Sequence, residues 1–140
     1  SLSCLYRFEA GPEQAVELML NEVVFLNRRC NTTFNDRENR YVCHQKGEPR
    51  TGAVFVAEHE VHLRRHCLCG EPPVPVKIRS TSRVLELNFT VTDMAADEDY
   101  QDFSFFGSYE FVPLSPMAAE RRRGCVPART LNGTTGEVMV

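Results

Sequence analysis

The sequence predicts an all-β chain, a sandwich or barrel of short strands held by disulfides. Three observations predict it. Residues 85–93, LELNFTVTD, alternate: Leu85, Leu87, Phe89 and Val91 point one way, Glu86, Asn88 and Thr90 the other, the period-2 signature of a half-buried strand. Short apolar runs separated by Gly and Pro recur along the chain with almost no helical periodicity. The chain also carries six cysteines, Cys4, Cys30, Cys43, Cys67, Cys69 and Cys125, without the CxxC pairs of a zinc site. An even count without metal spacing favours disulfides and an oxidising compartment.

Each element follows in order. Residues 4–27 contain short strand-like runs: after a Gly11-Pro12 turn, Val16, Leu18 and Leu20 alternate with Glu17, Met19 and Asn21. A helix competes over 13–20, where Glu, Leu, Met and Ala favour one, but Val23-Val24 and the Gly-Pro punctuation favour a strand. Segment 31–52 is polar and turn-rich, so it is expected as loop around a short strand at Tyr41–Cys43. AVFVAEHEVHL, residues 53–63, reads as a strand. Gly70, Pro72, Pro73 and Pro75 then exclude central sheet until Val76. A strand over 83–92 is followed by the acidic loop DMAADEDYQD and by the aromatic, alternating FSFFGSYEFV at 103–112. Beyond Pro113 and Pro116 come the helix-permitting MAAERRR and a tail of small and polar residues.

Asn88 is a poor strand former in the middle of a good strand. Asn88-Phe89-Thr90 is, however, an N-glycosylation acceptor, and the alternation places Asn88 on the solvent face. Asn31-Thr32-Thr33 and Asn132-Gly133-Thr134 are two further acceptors. Three acceptors beside six cysteines in 140 residues lead us to expect a secreted protein or the extracellular part of a membrane protein.

Composition excludes other classes. The length suits one domain with its own core, and 42% hydrophobic with 25% charged residues is ordinary for a globular chain. A net charge of −3 gives no case for nucleic acid. No apolar run approaches the ~18 residues of a membrane span, and no signal-peptide pattern opens the chain.

Cys4-Leu-Tyr6, Gly11-Pro12, VELML and Cys30 are followed by Cys69-Gly70, Pro72-Pro73, Ser80-Thr81-Ser82, VLELNF, Asp93 onward and FFGSYEF. In order and spacing over about residues 4–112, this series resembles the CUB domain, an extracellular module of complement proteases, tolloid-like proteases, spermadhesins and neuronal receptors. The resemblance implies an antiparallel jelly-roll sandwich over residues 1–113 with an inserted hairpin at about 43–67, and residues 114–140 as an extension. It pairs Cys30 with Cys69. Cys43 and Cys67 would then close the inserted hairpin, and Cys4 is left for Cys125, each unstrained bridge adding about 2–4 kcal/mol. Cys67 could instead take Cys30, because positions 67 and 69 share a face on a strand. The chain departs from the family in three ways: the family cysteine that partners Cys4 has no counterpart here, the Cys30–Cys69 interval is long, and the tail carries Cys125.

Many CUB domains hold calcium with one Glu and two Asp. The corresponding positions here fall near Asn27, at Thr33 and, one residue out of register, at Asp93. A hard cation needs several oxygen ligands with net negative charge, so no cofactor is expected. Calcium through Asp93, Asp97 and Asp99 is the alternative, in a loop that also holds Glu98 and Asp102. A run of acids between strands is more often a solvated loop, or a patch that meets a basic partner.

Catalysis is not expected. HEVH at 59–62 spaces its histidines i, i+3, which on a strand puts His59 and His62 on opposite sides, unlike the i, i+4 pair of a zinc protease. No nucleophile motif or phosphate loop is present. Arg121-Arg122-Arg123 is the densest basic spot; it reads as a solvated helix end, a processing site or a contact for acidic glycans. Of Phe103, Phe105, Phe106, Tyr109 and Phe111, most should fill the core, and Phe106, out of phase, should be exposed. The expected function is non-catalytic recognition of an extracellular protein ligand or co-receptor. The expected contacts are Arg64, Arg65, His66, Asp97, Asp99 and Phe106. The alternatives are a glycosaminoglycan-binding module and the non-catalytic part of a larger extracellular protease.

Overall fold

The structure, a computed structural model, describes residues 2–26, 28–45, 52–58, 65–94 and 96–114. Among them lie nine strands, β1 Leu2–Glu9, β2 Gln14–Phe25, β3 Cys30–Asn35, β4 Arg40–Gln45, β5 Gly52–Glu58, β6 His66–Leu68, β7 Val76–Arg79, β8 Val84–Val91 and β9 Phe103–Pro113, with one 3-10 turn at Tyr100–Asp102. The chain is an all-β, disulfide-bonded antiparallel sandwich. One sheet has the order β1-β8-β5-β6, the other β7-β2-β9, and β3-β4 forms a separate two-stranded hairpin.

Alternation decides the core. Leu85, Leu87, Phe89 and Val91 of β8 are buried, as are Val54 and Val56, their cross-strand partners or neighbours on β5. They pack against Val16, Leu18 and Leu20 of β2 and Val76 and Ile78 of β7, with Phe25 stacked on Phe89 at 5.3 Å. Residues 14–20 are therefore strand, because one face meets an apolar sheet while the two edges pair with β7 and β9, and Glu13 belongs to the preceding turn with φ 64. The phase of β2 changes halfway: Val16, Leu18 and Leu20 are buried, then Val23 and Phe25. A bulge between Leu20 and Glu22 makes the change by inserting Asn21 without a partner on β9. Gly107 sits opposite Leu20, where a Cβ would lie 2.3 Å from the Met19 carbonyl oxygen, so only glycine fits.

Segment 31–52 departs from the expected loop with a short strand at Tyr41–Cys43. Its first part is a regular hairpin, registered Phe34↔Tyr41 and Asn35↔Arg40. Asn35 Oδ1 closes the turn by accepting from the N–H groups of Arg37 and Glu38 at 3.0 and 3.2 Å, and Asn39 takes φ 52. The hairpin escaped the sequence pattern because none of its residues is fully buried and only Tyr41 packs against the core, so no apolar-polar alternation marks it. Within 43–67, Gly52–Glu58 is an inner strand of the four-stranded sheet rather than part of an appendage; it pairs with β8 and with β6. Residues 59–63 of the expected strand lie outside the described residues, as do Arg64, Asn132, Arg121–Arg123, Cys125 and the extension from 115 onward.

Cys30 is joined to Cys69 and Cys43 to Cys67, with Cα separations of 5.8 and 5.4 Å, so Cys67 does not take Cys30. The two bridges tie the hairpin to β6 and to the residue after it. Thr32 adds a third tie: its hydroxyl donates to the Cys69 carbonyl and accepts from the Cys69 N–H, both at 2.9 Å. Gly70 then turns the chain with φ 63, where a Cβ would meet the Cys30 carbonyl oxygen at 2.3 Å.

Candidate functional site

The acidic loop between β8 and β9 is anchored from beneath. Arg28, between β2 and β3, is buried and sends Nη1 to the Thr92 carbonyl at 2.8 Å and Nη2 to Glu98 Oε1 at 3.1 Å. Its guanidinium also lies 5.3 Å from the centre of the Phe103 ring. The Arg28 and Glu98 side chains are only 1% and 2% exposed. The Leu26 N–H donates to the Asp102 carbonyl at 3.0 Å, fixing the far end of the loop. Glu98 is thus committed to structure, while Asp97 and Asp99, on either side of it, are exposed. Asp99 also orders its own turn, accepting from the Gln101 N–H at 3.3 Å. Asp93 is exposed and takes φ 51.

Sequence reasoning placed Asp97 and Asp99 in a contact loop, but it missed Arg28. Nothing in NRRC distinguishes Arg28 from a solvated arginine; its partner stands 70 residues away in the chain. Among the described residues, Cys30, Cys43 and Cys69 are the one set of three or more Cys, His, Asp or Glu ligand atoms that converge within 4.8 Å, and all three belong to disulfides. Asp93, Asp97 and Asp99 do not converge in that way.

Phe106 lies on β9 opposite Glu22, at the bulge, and is 65% exposed. Ser104, on the same face, donates to Glu22 Oε1 at 3.2 Å. The other aromatics of β9 divide differently from expectation. Phe103 is buried and Phe105 half-buried, yet Tyr109 and Phe111, in the same phase as these, are 58% and 40% exposed. Among the described residues β9 pairs with β2 alone, and the second half of its inward face is less covered than the first.

The expected Arg65–His66 contact falls on β6 and the residue before it. The Arg65 guanidinium stacks on Phe55 at 4.1 Å, and the Arg65 carbonyl accepts from Arg40 Nη1 at 3.3 Å. His66 points the other way, into a cleft of about 280 Å³ lined by Glu38, Arg40, Glu58, Arg79, Ser80 and Thr81, among others. His66 Nδ1 accepts from the Tyr41 N–H at 3.2 Å, which assigns the proton of the neutral ring to Nε2. Burial, and secondarily the nearby Arg40 charge, hold the His66 pKa below its usual 6.5, with Glu58 opposing. The ring is therefore neutral near pH 7.

The hydroxyls around this cleft are already engaged. Ser80 Oγ donates to the Ser82 carbonyl at 2.6 Å and accepts from the Val16 N–H at 2.8 Å. Glu58 receives the N–H and hydroxyl groups of both Thr81 and Ser82 between 2.5 and 3.0 Å. Glu58 was no candidate in the sequence, where it is one acid at the end of an apolar run; it serves as the clamp of the β7–β8 turn.

Two of the glycosylation acceptors are described. Asn31 is exposed on β3. Asn88 stands on the outer face of β8 between Leu5 and Phe55, half-buried, its Oδ1 accepting from Ser3 Oγ at 3.3 Å and Thr90 Oγ1 at 3.1 Å. No protein-family model matches the chain, and no curated protein or solved structure matches it.

Proposed function

We propose that this chain is a non-catalytic recognition module of a secreted protein or cell-surface receptor, a divergent member of the CUB family. The observation that carries the reading is the pairing of a pinned acidic loop with an exposed anchor. The Arg28–Glu98 pair orders the loop before any partner arrives, leaving Asp97 and Asp99 at its surface and Phe106 exposed on the strand it leads into. Pre-ordering lowers the entropic cost of binding, and an exposed aromatic side chain is a suitable interface anchor. The partner that fits is a protein with a basic patch around an apolar recess, engaged without calcium. Disulfides are compatible with an oxidising, extracellular setting, and N-glycans on Asn31 and Asn88 would mark faces that the partner leaves uncovered.

The test is capture of partners from a library of secreted and ectodomain proteins, with Phe106→Ser and the double change Asp97→Asn/Asp99→Asn beside the parent. Phe106→Ser should weaken the captured partner at least tenfold, while the double change should mainly slow association and flatten its salt dependence. A partner bound equally by all three proteins, or hydrolase activity in the purified chain, would overturn the reading.

A further inference from the structure

The two disulfides stand side by side where the β3–β4 hairpin meets β6. Cys30 opens β3, Cys43 lies on β4, Cys67 lies on β6 and Cys69 follows it. The Cys43 sulfur is within 4.8 Å of both sulfurs of the other bridge, and the Cys67 sulfur is bonded to it. Four thiolates around a zinc ion, at bonds of about 2.3 Å and tetrahedral angles, hold their sulfurs about 3.8 Å apart. The spacing between the two bridges is thus within about 1 Å of what a tetrahedral site requires, and opening each bridge separates its own bonded pair. No Asp, Glu or His joins the set among the described residues, and an all-sulfur set selects a soft ion over calcium or magnesium.

The four positions are held together by more than the bridges. β3 and β4 are paired from Cys30↔Gln45 to Asn35↔Arg40, and β6 is paired with β5. Between hairpin and β6, the Thr32 hydroxyl bonds the Cys69 backbone twice, the Tyr41 N–H donates to His66 Nδ1 at 3.2 Å, and Arg40 Nη1 donates to the Arg65 carbonyl at 3.3 Å. Cys69 is fully buried, whereas Cys30, Cys43 and Cys67 are half-buried, which gives an ion an approach from solvent. The Thr32 hydroxyl also lies 3.8 Å from the Cys69 sulfur, a neighbour of the kind that orients a metal-bound ligand. We propose that the chain with both bridges open binds one zinc ion through Cys30, Cys43, Cys67 and Cys69, so that a metal fastens the hairpin to β6 before the disulfides do. This site is separate from the acidic loop and Phe106. Reduction by a phosphine gives each bridge two electrons, with two protons from one water whose oxygen leaves on the phosphine oxide. The metal then displaces the thiol protons to solvent.

The experiment uses the full chain with Cys4→Ser and Cys125→Ser, which leaves only these four sulfurs, reduced with a phosphine and titrated anaerobically with cobalt(II). One equivalent should produce the intense visible bands of tetrahedral thiolate coordination, and one equivalent of zinc should erase them. The oxidised chain should show no bands, and the further change Cys43→Ser/Cys67→Ser should abolish them in the reduced chain. Zinc alone should raise the melting temperature of the reduced chain, read by circular dichroism, because an ion that binds only the folded state stabilises it. The weak spectrum of octahedral cobalt, a complex that needs two chains per metal, or bands that survive loss of Cys43 and Cys67 would overturn the proposal. So would metal uptake that leaves the melting temperature unchanged, since the sulfurs would then be gathered by an unfolded chain rather than by the hairpin and β6.

Discussion

Replacing Arg28 by methionine tests whether the acidic loop is held as described. The change keeps most of the aliphatic volume and removes the guanidinium that pairs with Glu98, 2% exposed, and that donates to the Thr92 carbonyl. Removing one partner of a buried ion pair costs about 3–5 kcal/mol, because the remaining charge keeps its desolvation penalty. The lost hydrogen bond to Thr92 and the ring contact with Phe103 fall inside that range rather than adding to it. For a chain of 140 residues, 1 kcal/mol corresponds to about 3 °C in Tm, so a fall of roughly 10–15 °C is expected. Thermal and urea unfolding followed by circular dichroism measure it. The double change Arg28→Met/Glu98→Met should recover most of the loss, since two apolar groups of similar volume leave no buried charge behind. A loss below about 1 kcal/mol for Arg28→Met is the cost of an exposed pair; it would refute the buried anchor and, with it, the pre-ordered loop.

Two further predictions concern the cleft and the bulge. Because the folded-state pKa of His66 is depressed, its contribution to stability is fully present above the unfolded value near 6.5 and is lost as pH falls from there toward the lower folded value. Urea midpoints should therefore decline on acidification in that window, and His66→Gln should flatten the decline; an unchanged profile would mean that another group titrates. Gly107→Ala drives a methyl group against the Met19 carbonyl oxygen and should cost at least about 2 kcal/mol by thermal unfolding, whereas a neutral result would mean that the bulge relaxes freely.

The sequence by itself determined whatever local pattern can encode. The alternation of LELNFTVTD and AVELML fixed which side chains of β8 and of the first half of β2 face inward, because a period of two leaves only one apolar face to bury. Gly70 and the prolines marked where sheet could not continue. The tertiary structure alone decided what depends on the neighbour across space. The β3–β4 hairpin carries no alternation because none of its residues is fully buried, and its strands were visible only once Asn35 closed the turn and two disulfides fixed the hairpin beside β6. Tyr109 and Phe111 share the phase of Phe103, yet are exposed on a strand that pairs, among the described residues, with β2 alone. Whether Cys67 or Cys69 takes Cys30 turned on the position of β6 beside the hairpin, and the worth of Glu98 on an arginine 70 residues away. Periodicity records which face of a strand is buried, but not which strand lies opposite, and charge pairing and edge exposure follow from the second.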